Sequence, residues 1–297
     1  MMTRFDLPTT ITPSRVVTAA RCHRRHVLQD LVQWGKYYSP ALEFGTVVHS
    51  GCGEWWRTGD LNKALIAVRK AWGECFENPN KVISTASVSL KLAEAMLKGY
   101  SQNAYLAGTN SDESEWQVVS IEDRLPVNLG DHLLTMQQDR VLYHPVREVI
   151  RIVDTKTASR LDKKWRNGWE MDLQMKMYKW AMQKLYELPV EVVIEGVLKE
   201  TTGEVEYVFL PDWTNEQLEE ASWMAERIAN EDAGMILEAQ QRGVDITEFL
   251  LMFSRHNPHD CFSYGQECQF RELCLASPSE RIGVLQASYQ PIEGEEY

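Results

Sequence analysis

The most informative short stretch of the sequence is Asp154-Thr155-Lys156, which follows the apolar run VIRIV. Side chains two residues apart on a β-strand point to the same face, so a strand here would present a carboxylate and an amine side by side. Burying such a pair costs free energy unless both charges are well partnered. The pairing makes chemical sense if the carboxylate holds a hard cation and the amine acts on a phosphate or a water molecule. A partly exposed ion pair at a strand end is the alternative.

A second carboxylate, Asp139, precedes this stretch in MQQDRVL. If the two strands pair as a hairpin through the turn at His144 and Pro145, Asp139 lies roughly opposite Asp154. Two facing carboxylates repel each other unless a cation separates them. The spacing therefore predicts a cation site, with Asp131 as a weaker candidate for the second carboxylate and an ordinary surface aspartate as the alternative.

Two further pairs of residues have helical spacing. Gly45 and His49 stand four apart in GTVVH, and Gln174 and Tyr178 stand four apart after the Asp-x-Lys stretch. Residues at this spacing share one helix face. His49 is a candidate metal ligand, and Gln174 and Tyr178 can donate to phosphate oxygens or bases. Ordinary packing is the alternative for each pair.

Six cysteines occur, and three of them crowd near the end of the chain as Cys261, Cys268 and Cys274. Three thiols need a fourth ligand to complete a tetrahedral site, and Cys22 in AARCHRRH is the best candidate. Four thiolates can hold either Zn²⁺ or a [4Fe–4S] cluster. The other two cysteines, Cys52 and Cys75, fall at apolar helix positions and are expected to be core residues.

The hydrophobic periodicity predicts a mainly helical first hundred residues and a mixed α/β core after them. The predicted helices are Thr12–Trp34, with Thr12 or Ser14 as N-cap, Pro40–Trp56, Asp60–Phe76, Ser87–Leu106, Trp169–Tyr186 and Asn215–Gln240. The predicted strands are three in a meander, WQVVSIEDRLPVNL, LLTMQQDRVLYH and REVIRIVDTKTA, and two more, VEVVIEGVLKE and GEVEYVFLP. The stretch from Phe253 to Cys274 is expected to be irregular.

The composition is that of a large globular chain, with 297 residues of which 44% are hydrophobic. No stretch approaches a membrane span and the N-terminus lacks a secretory h-region, so we expect a cytoplasmic protein without membrane contact. The net charge of −12 means that any contact with nucleic acid must be local. Candidate basic patches are Arg21, Arg24 and Arg25, and the run Arg160, Lys163, Lys164 and Arg166; Trp55, Trp56, Trp165 and Trp169 could stack on bases.

In order, the set GTVVH, Asp139, Asp154-x-Lys156 and Gln174-x-x-x-Tyr178 resembles the RecB-type branch of the PD-(D/E)XK nucleases. The resemblance covers residues 45 to 178, and Met136 stands where family members often have glycine. It implies a restriction-endonuclease-like fold: a mixed sheet flanked by helices, with an N-terminal helical region (1–110), a nuclease core (111–252) and a Cys-rich tail (253–297). It also implies that His49, Asp139 and Asp154 ligate Mg²⁺ or Mn²⁺, that Lys156 positions or deprotonates the attacking water, and that Gln174 and Tyr178 contact DNA.

The cysteine pattern resembles the iron–sulfur subfamily of these nucleases, which includes CRISPR-adaptation nucleases, AddB-type helicase–nucleases and phage exonucleases. This implies a [4Fe–4S] cluster held by Cys22, Cys261, Cys268 and Cys274. The alternatives are Zn²⁺, since the first gap departs from the common Cys-x₂-Cys-x₅-Cys by having six residues, and thiols that bind no metal. The implied function is a DNA exonuclease acting on ends or single strands in recombination, repair or phage DNA processing. The alternative is a catalytically weak DNA-binding scaffold that keeps the cluster. A homo-oligomer or a recombination partner protein would fit either function.

Overall fold

The computed structural model describes residues 10–35, 39–78, 88–108, 115–263 and 266–291. Its helices, in chain order, are α1 (Pro13–Arg21), α2 (His23–His26), α3 (Pro40–Thr58), α4 (Leu61–Phe76), α5 (Leu90–Asn103), α6 (Lys163–Asn167), α7 (Leu173–Tyr186), α8 (Asn215–Arg242), α9 (Ile246–Phe253), α10 (Arg271–Leu275) and α11 (Arg281–Ser288). A π-helical turn (Val27–Leu31) follows α2, and a 3₁₀ turn (Pro258–Cys261) follows α9. In the described part of the chain, no helix is long and apolar enough to cross a lipid bilayer.

The strands of the described residues form four sheets. They are β1 (Thr10–Ile11), β2 (Trp34–Gly35), β3 (Gln117–Ile121), β4 (Arg124–Leu129), β5 (His132–Gln137), β6 (Arg140–His144), β7 (Val149–Ala158), β8 (Val190–Leu198), β9 (Val205–Phe209), β10 (Phe262–Ser263), β11 (Gln266–Glu267) and β12 (Gln290–Pro291). The largest sheet has the order β3-β6-β7-β8-β9. It is mixed, because β7 and β8 run parallel while the other neighbours are antiparallel. The predicted mixed α/β class is confirmed.

The chain divides into two compact units. The sheet unit consists of Tyr38–Val127 and Met136–Glu219, and it contains the five-stranded sheet with α3 to α7. The terminal unit consists of Met1–Tyr37, Asn128–Thr135 and Glu220–Tyr297, and it contains α1, α2, α9 and the short elements near the C-terminus.

Helices α3, α4 and α5 of the sheet unit pack together around fully buried side chains that include Phe44, Val68 and Leu97. Gly51 lies at their closest approach, because a Cβ at this position would come within 2.5 Å of Val68 Cγ2 and 3.0 Å of Leu97 Cδ2. A larger residue at position 51 would push the helices apart. This packing fixes α3, the helix that carries His49.

The core strand β7 is buried along its first seven residues. A strand in a parallel pair that is covered on both faces is normally buried at consecutive residues rather than at alternate ones. The connection from β7 to its parallel neighbour β8 passes through α7, as a parallel pair requires. Strand β7 therefore lies between β6, its hairpin partner, and β8, which joins from farther along the chain.

Two sequence predictions about the elements were wrong. The helix predicted for Thr12–Trp34 is interrupted at Cys22, whose backbone is extended (φ −153°, ψ 103°). The N–H of Arg24 bonds to the carbonyl of Arg255 at 2.7 Å instead of continuing α1. Of the two N-caps considered, Thr12 caps α1.

The three-strand meander was also wrong, since the first two of its stretches contain two strands each. The first breaks at Glu122, which has a positive φ of 58°, and the second breaks at Gln138 and Asp139. Strands β3 and β6 enter the five-stranded sheet, whereas β4 and β5 join β1 in a separate sheet. Helix α7 begins at Leu173 rather than Trp169 because Asp172 caps it, and the predicted start at Ser87 lies outside the described residues.

Candidate active site

The β6–β7 hairpin brings the two predicted carboxylates to the same level. Arg140 pairs with Val153, so Asp139 follows at the level of Asp154. One carboxylate oxygen of Asp139 accepts a hydrogen bond from the backbone N–H of Thr155. The predicted convergence is therefore present, and the hairpin turns where it was expected, after His144.

Asp154 and Lys156 project from the same face of β7 and form an ion pair, with Lys156 Nζ 2.6 Å from Asp154 Oδ2. Burial raises the pKa of Asp154 to about 6; Lys156 opposes this rise and the charge of Asp139 adds to it. Burial disfavours the charged form of Lys156 too, but Asp154 and Asp139 outweigh that effect and hold the lysine pKa above its usual range. At neutral pH the lysine is therefore an ammonium group.

His49 reaches this site from the third turn of α3. Its Nδ1 lies 3.2 Å from Asp139 Oδ1. Burial alone would lower the pKa of His49, but the charge and hydrogen bond of Asp139 raise it to about 9. Burial would raise the pKa of Asp139, but His49 and then Lys156 lower it to about 2. Without a metal the pair is a protonated imidazole in contact with a carboxylate, and His49 must release a proton to act as a metal ligand.

Glu122 is a site residue that the sequence analysis missed. It follows β3 in a turn and its N–H points to the carbonyls of Gln138 and Asp139, at 3.2 and 3.3 Å. Its Oε2 accepts a hydrogen bond from Gln137 Nε2 at 3.1 Å. Burial, followed by the charge of Asp139, raises the pKa of Glu122 to about 7. The available signal was two acidic residues directly after a strand, which is too common a pattern to identify a site.

Among the described residues, one group of histidine, cysteine and acidic side chains has the spacing of a metal site. It consists of His49, Glu122 and Asp139, whose potential ligand atoms all lie within 4.8 Å of one another. The two carboxylates are ligands that Mg²⁺ and Mn²⁺ prefer, and the imidazole is a further nitrogen ligand for a divalent metal. Asp154 stands next to this group and interacts electrostatically with both His49 and Asp139, while its closest contact is Lys156.

Gln174 and Tyr178 lie one helical turn apart on α7, as their spacing predicts. Gln174 Nε2 donates to the Tyr178 hydroxyl at 2.9 Å, and that hydroxyl donates to the carbonyl of Gln137 at 3.0 Å. Burial and the charge of Asp154 raise the pKa of Tyr178. The phenol is therefore a neutral donor beside the carboxylates. Asp131, the weaker candidate, is exposed in the β4–β5 turn of the terminal unit.

A buried polar network that the sequence analysis did not anticipate lies on the opposite face of β7. Arg140 and Glu195 form two hydrogen bonds of 2.7 and 3.1 Å, with exposed fractions of 1% and 0%. Glu195 also accepts from the hydroxyls of Thr155 and Tyr100, both at 2.8 Å, and Trp56 Nε1 donates to the Tyr100 oxygen at 2.6 Å. Thr155 stands between Asp154 and Lys156, so its hydrogen bond to Glu195 holds the backbone that orients both side chains.

The four predicted cluster cysteines all belong to the terminal unit. Short hydrogen bonds join the segment around Cys22 to the tail, including Asn257 Nδ2 to the carbonyl of Arg21 at 3.0 Å. Burial raises the pKa of Cys261, Cys268 and Cys274, and Cys22 contributes a smaller electrostatic effect to each. No three of these thiols, all within the described ranges, lie within 4.8 Å of one another. Cys52 and Cys75 are buried, as expected for core residues.

Comparison with known proteins assigns the chain to a family. The model of the PD-(D/E)XK nuclease superfamily matches residues 10–275. A crystal structure from Eubacterium rectale described as a "Putative exonuclease" is similar, with a TM-score of 0.51, 19% identity, and 76% of this chain and 82% of that chain covered. A structure named SSO0001 matches with a TM-score of 0.33 and 11% identity over 76% of this chain and 78% of that chain. No curated protein matches the sequence.

The family match spans the helix of His49, the hairpin of Asp139 and Asp154, and the helix of Gln174 and Tyr178. The architecture agrees with it, because a mixed sheet flanked by helices is the restriction-endonuclease-like fold expected for this family. The chain belongs to the PD-(D/E)XK nuclease superfamily.

Proposed function

We propose that this protein is a Mg²⁺- or Mn²⁺-dependent deoxyribonuclease that removes nucleotides from DNA ends or single strands. The observation that carries the proposal is the convergence of Asp139 and Asp154 beside Lys156, with His49 in contact with Asp139. Hydrolysis of a phosphodiester needs an oriented water and positive charge at the scissile phosphate. The side chains of this site are suited to both tasks.

His49, Asp139 and Asp154 are the proposed metal ligands, and the position of Glu122 makes it a fourth candidate. A bound divalent cation would neutralise charge on the phosphate and lower the pKa of water at the site. A cation at this position would stabilise the charged form of Glu122, because burial and the charge of Asp139 raise the pKa of this carboxyl to about 7. Such a group gains a partner for its charged form when a cation is present.

Lys156 is proposed to orient the attacking water and to hold positive charge near the phosphate. Of the two roles implied by the family resemblance, positioning is favoured over proton removal. The raised pKa of Lys156 keeps the amine protonated at neutral pH, so its Nζ donates hydrogen bonds. Gln174 and Tyr178 are proposed to contact the DNA backbone or bases near the cut, since both offer donors beside Asp154.

We further propose that Cys22, Cys261, Cys268 and Cys274 hold a [4Fe–4S] cluster. A zinc ion with Zn–S bonds of about 2.3 Å brings its thiolates to within roughly 4 Å of one another. A cubane cluster keeps them farther apart, because each thiolate bonds a different iron. Within the described residues no three of the four sulfurs lie within 4.8 Å of one another, and this spacing suits the larger group better than zinc.

Recombination, repair or phage DNA processing in the cytoplasm of a bacterium or an infected host is the proposed setting. Its support is the likeness of the site motifs and the Cys-rich tail to nucleases that act there. A second copy of the chain or a recombination protein is the proposed partner.

Lys156→Ala should lower the rate of DNA cleavage by at least about 100-fold, because removing one positioned donor from a site commonly costs that much. The assay follows end-labelled single- and double-stranded DNA with Mg²⁺ or Mn²⁺, using protein purified without oxygen. The label reports whether nucleotides leave one at a time and from which end.

Lys98→Ala is the matched control, since Lys98 is exposed on α5 and its loss removes the same charge. Cleavage that persists in Lys156→Ala would show that the site is wrong or that another nuclease is present. Wild-type protein that binds DNA but cleaves none with either metal would instead favour the scaffold function.

A further inference from the structure

The connection between β7 and α7, residues 159–172, joins the two elements that carry the site. Its first residue follows the strand of Asp154 and Lys156, and its last residue, Asp172, caps the helix of Gln174 and Tyr178. We call it the basic loop. It includes α6 and the exposed side chains of Arg160, Lys163, Lys164 and Arg166.

The basic loop is anchored on the sheet next to Lys156. Gly196 of β8 is the register partner of Lys156 on β7. A Cβ on Gly196 would meet Trp165 Cη2 at 2.4 Å and Leu161 Cδ2 at 2.6 Å, so these two side chains lie directly on the glycine. Partners in neighbouring strands present their side chains on one face. Trp165 therefore lies on the face of the sheet from which Lys156 projects.

Local interactions fix the shape of the loop around this anchor. Asp162 caps α6 by accepting from the N–H of Trp165 at 2.9 Å. Arg166 pairs with Glu206 on β9, and Trp213 Nε1 donates to the carbonyl of Glu170 at 3.0 Å. The loop therefore contacts β8, β9 and Trp213, and these contacts hold the backbone from which its remaining charged side chains project.

Three basic side chains of the loop have no ionic partner in the described structure: Arg160, Lys163 and Lys164. In the described ranges no carboxylate lies within ion-pair distance of any of them. Most other basic side chains of the sheet unit are paired, as Arg69 is with Glu94 and Arg147 with Glu191. In the described chain Lys63, Lys91 and Lys98 also lack a carboxylate partner, but they lie on α4 and α5, whereas the three loop cations lie in the connection between the strand and the helix of the site.

Aromatic surface accompanies these cations. Trp165 and Trp169 pack edge to face, with ring centroids 5.8 Å apart, and both are partly exposed. Trp169 Nε1 is a buried donor without an acceptor in the described structure. Rings that are partly open beside cations fit a single strand, because its bases are free to stack while those of a duplex are not.

We propose that the basic loop binds the sugar-phosphate backbone of single-stranded DNA and guides it into the carboxylate site. Phosphate groups bind to the side chains of Arg160, Lys163 and Lys164. Bases stack on Trp165 and Trp169. The inference rests on the proposed nuclease function for its substrate, and it assigns single-stranded DNA to that site.

The test is the triple variant R160A/K163A/K164A in the full-length protein. Binding of a fluorescent single-stranded oligonucleotide is measured in EDTA at several salt concentrations, so that cleavage cannot interfere. Each phosphate contact on a single strand contributes ~0.7 to the slope of log K against log salt. The triple variant should therefore show a slope smaller by about 2 and, at 0.1 M salt, about 100-fold weaker binding regardless of sequence.

The matched control is K63A/K91A/K98A, which removes three exposed lysines from α4 and α5 and changes the net charge equally. This variant should bind like wild type. An equal loss in both variants, or an unchanged slope in the triple variant, would overturn the proposal. A duplex of the same sequence that binds as tightly as the single strand, with the same loss in the triple variant, would overturn the single-strand assignment.

The two proposals can fail separately. If the wild type cleaves no DNA but the loop variant loses binding, the nuclease function fails and the loop assignment stands. If the wild type cleaves and the loop variant keeps both its affinity and its cleavage rate, the loop assignment fails alone. Thermal melting of each variant establishes that the loss of binding is not loss of fold.

Discussion

The side chain of His26 is only 1% exposed, yet it lies between two carboxylates of the terminal unit. Its Nε2 is 2.7 Å from Asp232 Oδ2 and its Nδ1 is 2.8 Å from Asp30 Oδ2, while His23 approaches Asp232 from the other side at 3.2 Å. Burial alone would lower the pKa of His26, but hydrogen bonds and charges of Asp232 and Asp30 raise it to about 9.

This shift predicts how stability depends on pH. A group with a raised folded-state pKa stabilises the protein fully below its unfolded pKa of about 6.5, and that stabilisation is lost as the pH rises through about 9. In urea unfolding, the wild type should lose on the order of 3 kcal/mol more than His26→Gln between pH 6.5 and pH 9.5.

His132→Gln is the control for this measurement, because the hydrogen-bond partner of His132 in the described structure is the neutral side chain of Asn230. It should follow the wild-type pH dependence. Equal losses in wild type and His26→Gln would show that the His26 ion pair is not the source of the effect.

At the scale of elements, the network around Glu195 ties three strands and a helix together beneath the site. It joins Arg140 on β6, Thr155 on β7 and Tyr100 on α5 to one carboxylate on β8. A buried ion pair adds little net stability by itself, but removing one partner leaves an isolated charge in the core. The pairing of these strands and the orientation of Asp154 therefore both depend on the Glu195 carboxylate.

Glu195→Ala should lower the free energy of unfolding by about 3–5 kcal/mol, because Arg140 is then buried without its partner. Urea unfolding measures this loss. Glu206→Ala on β9 is the control, since its ion pair with Arg166 is partly exposed and such a pair contributes about 1 kcal/mol or less. A loss of similar size in both variants would contradict the central role of Glu195.

The sequence predicts much of this arrangement because the relevant signals are local. The Asp-x-Lys stretch, the hairpin turn after His144 and the helical pairs each lie within a few residues, and all of these elements form. Glu122 and Glu195 could not be identified in this way. Their roles depend on which strands become neighbours, and Glu195 is separated by 55 positions from Arg140.

The wrong strand boundaries have the same origin. The predicted strand runs across Glu122, whereas the positive φ at that residue marks the point where β3 ends and the chain turns toward β4 in a different sheet. Likewise, the helical periodicity runs across Cys22, while the hydrogen bond of Arg24 to Arg255 comes from a segment more than two hundred residues away.

At the scale of the whole molecule, the proposed cluster would link Cys22 to a tail that begins beyond residue 253. A cross-link that closes so long a loop removes much conformational freedom from the unfolded chain. Cys268→Ala should therefore lose iron and sulfide, lower the melting temperature and reduce solubility before it affects catalysis directly. Iron analysis, the visible spectrum and thermal melting follow these changes.

Cys75→Ala is the matched control, since this buried thiol on α4 lies outside the proposed ligand set. It should keep full iron content. A colourless Cys268→Ala protein that melts like the wild type would contradict the stabilising role, and a colourless wild type that contains zinc would favour the zinc alternative.

The parallel pairing of β7 with β8 has a consequence for the protein during its own synthesis. A chain emerging from the ribosome has His49, Asp139, Asp154 and Lys156 available well before β8 appears. Until then, Thr155 and Arg140 have no Glu195 to hold them, and the strand that carries the carboxylates has one free edge. The nascent polypeptide would therefore lack the arrangement of the proposed catalytic site until β8 has docked.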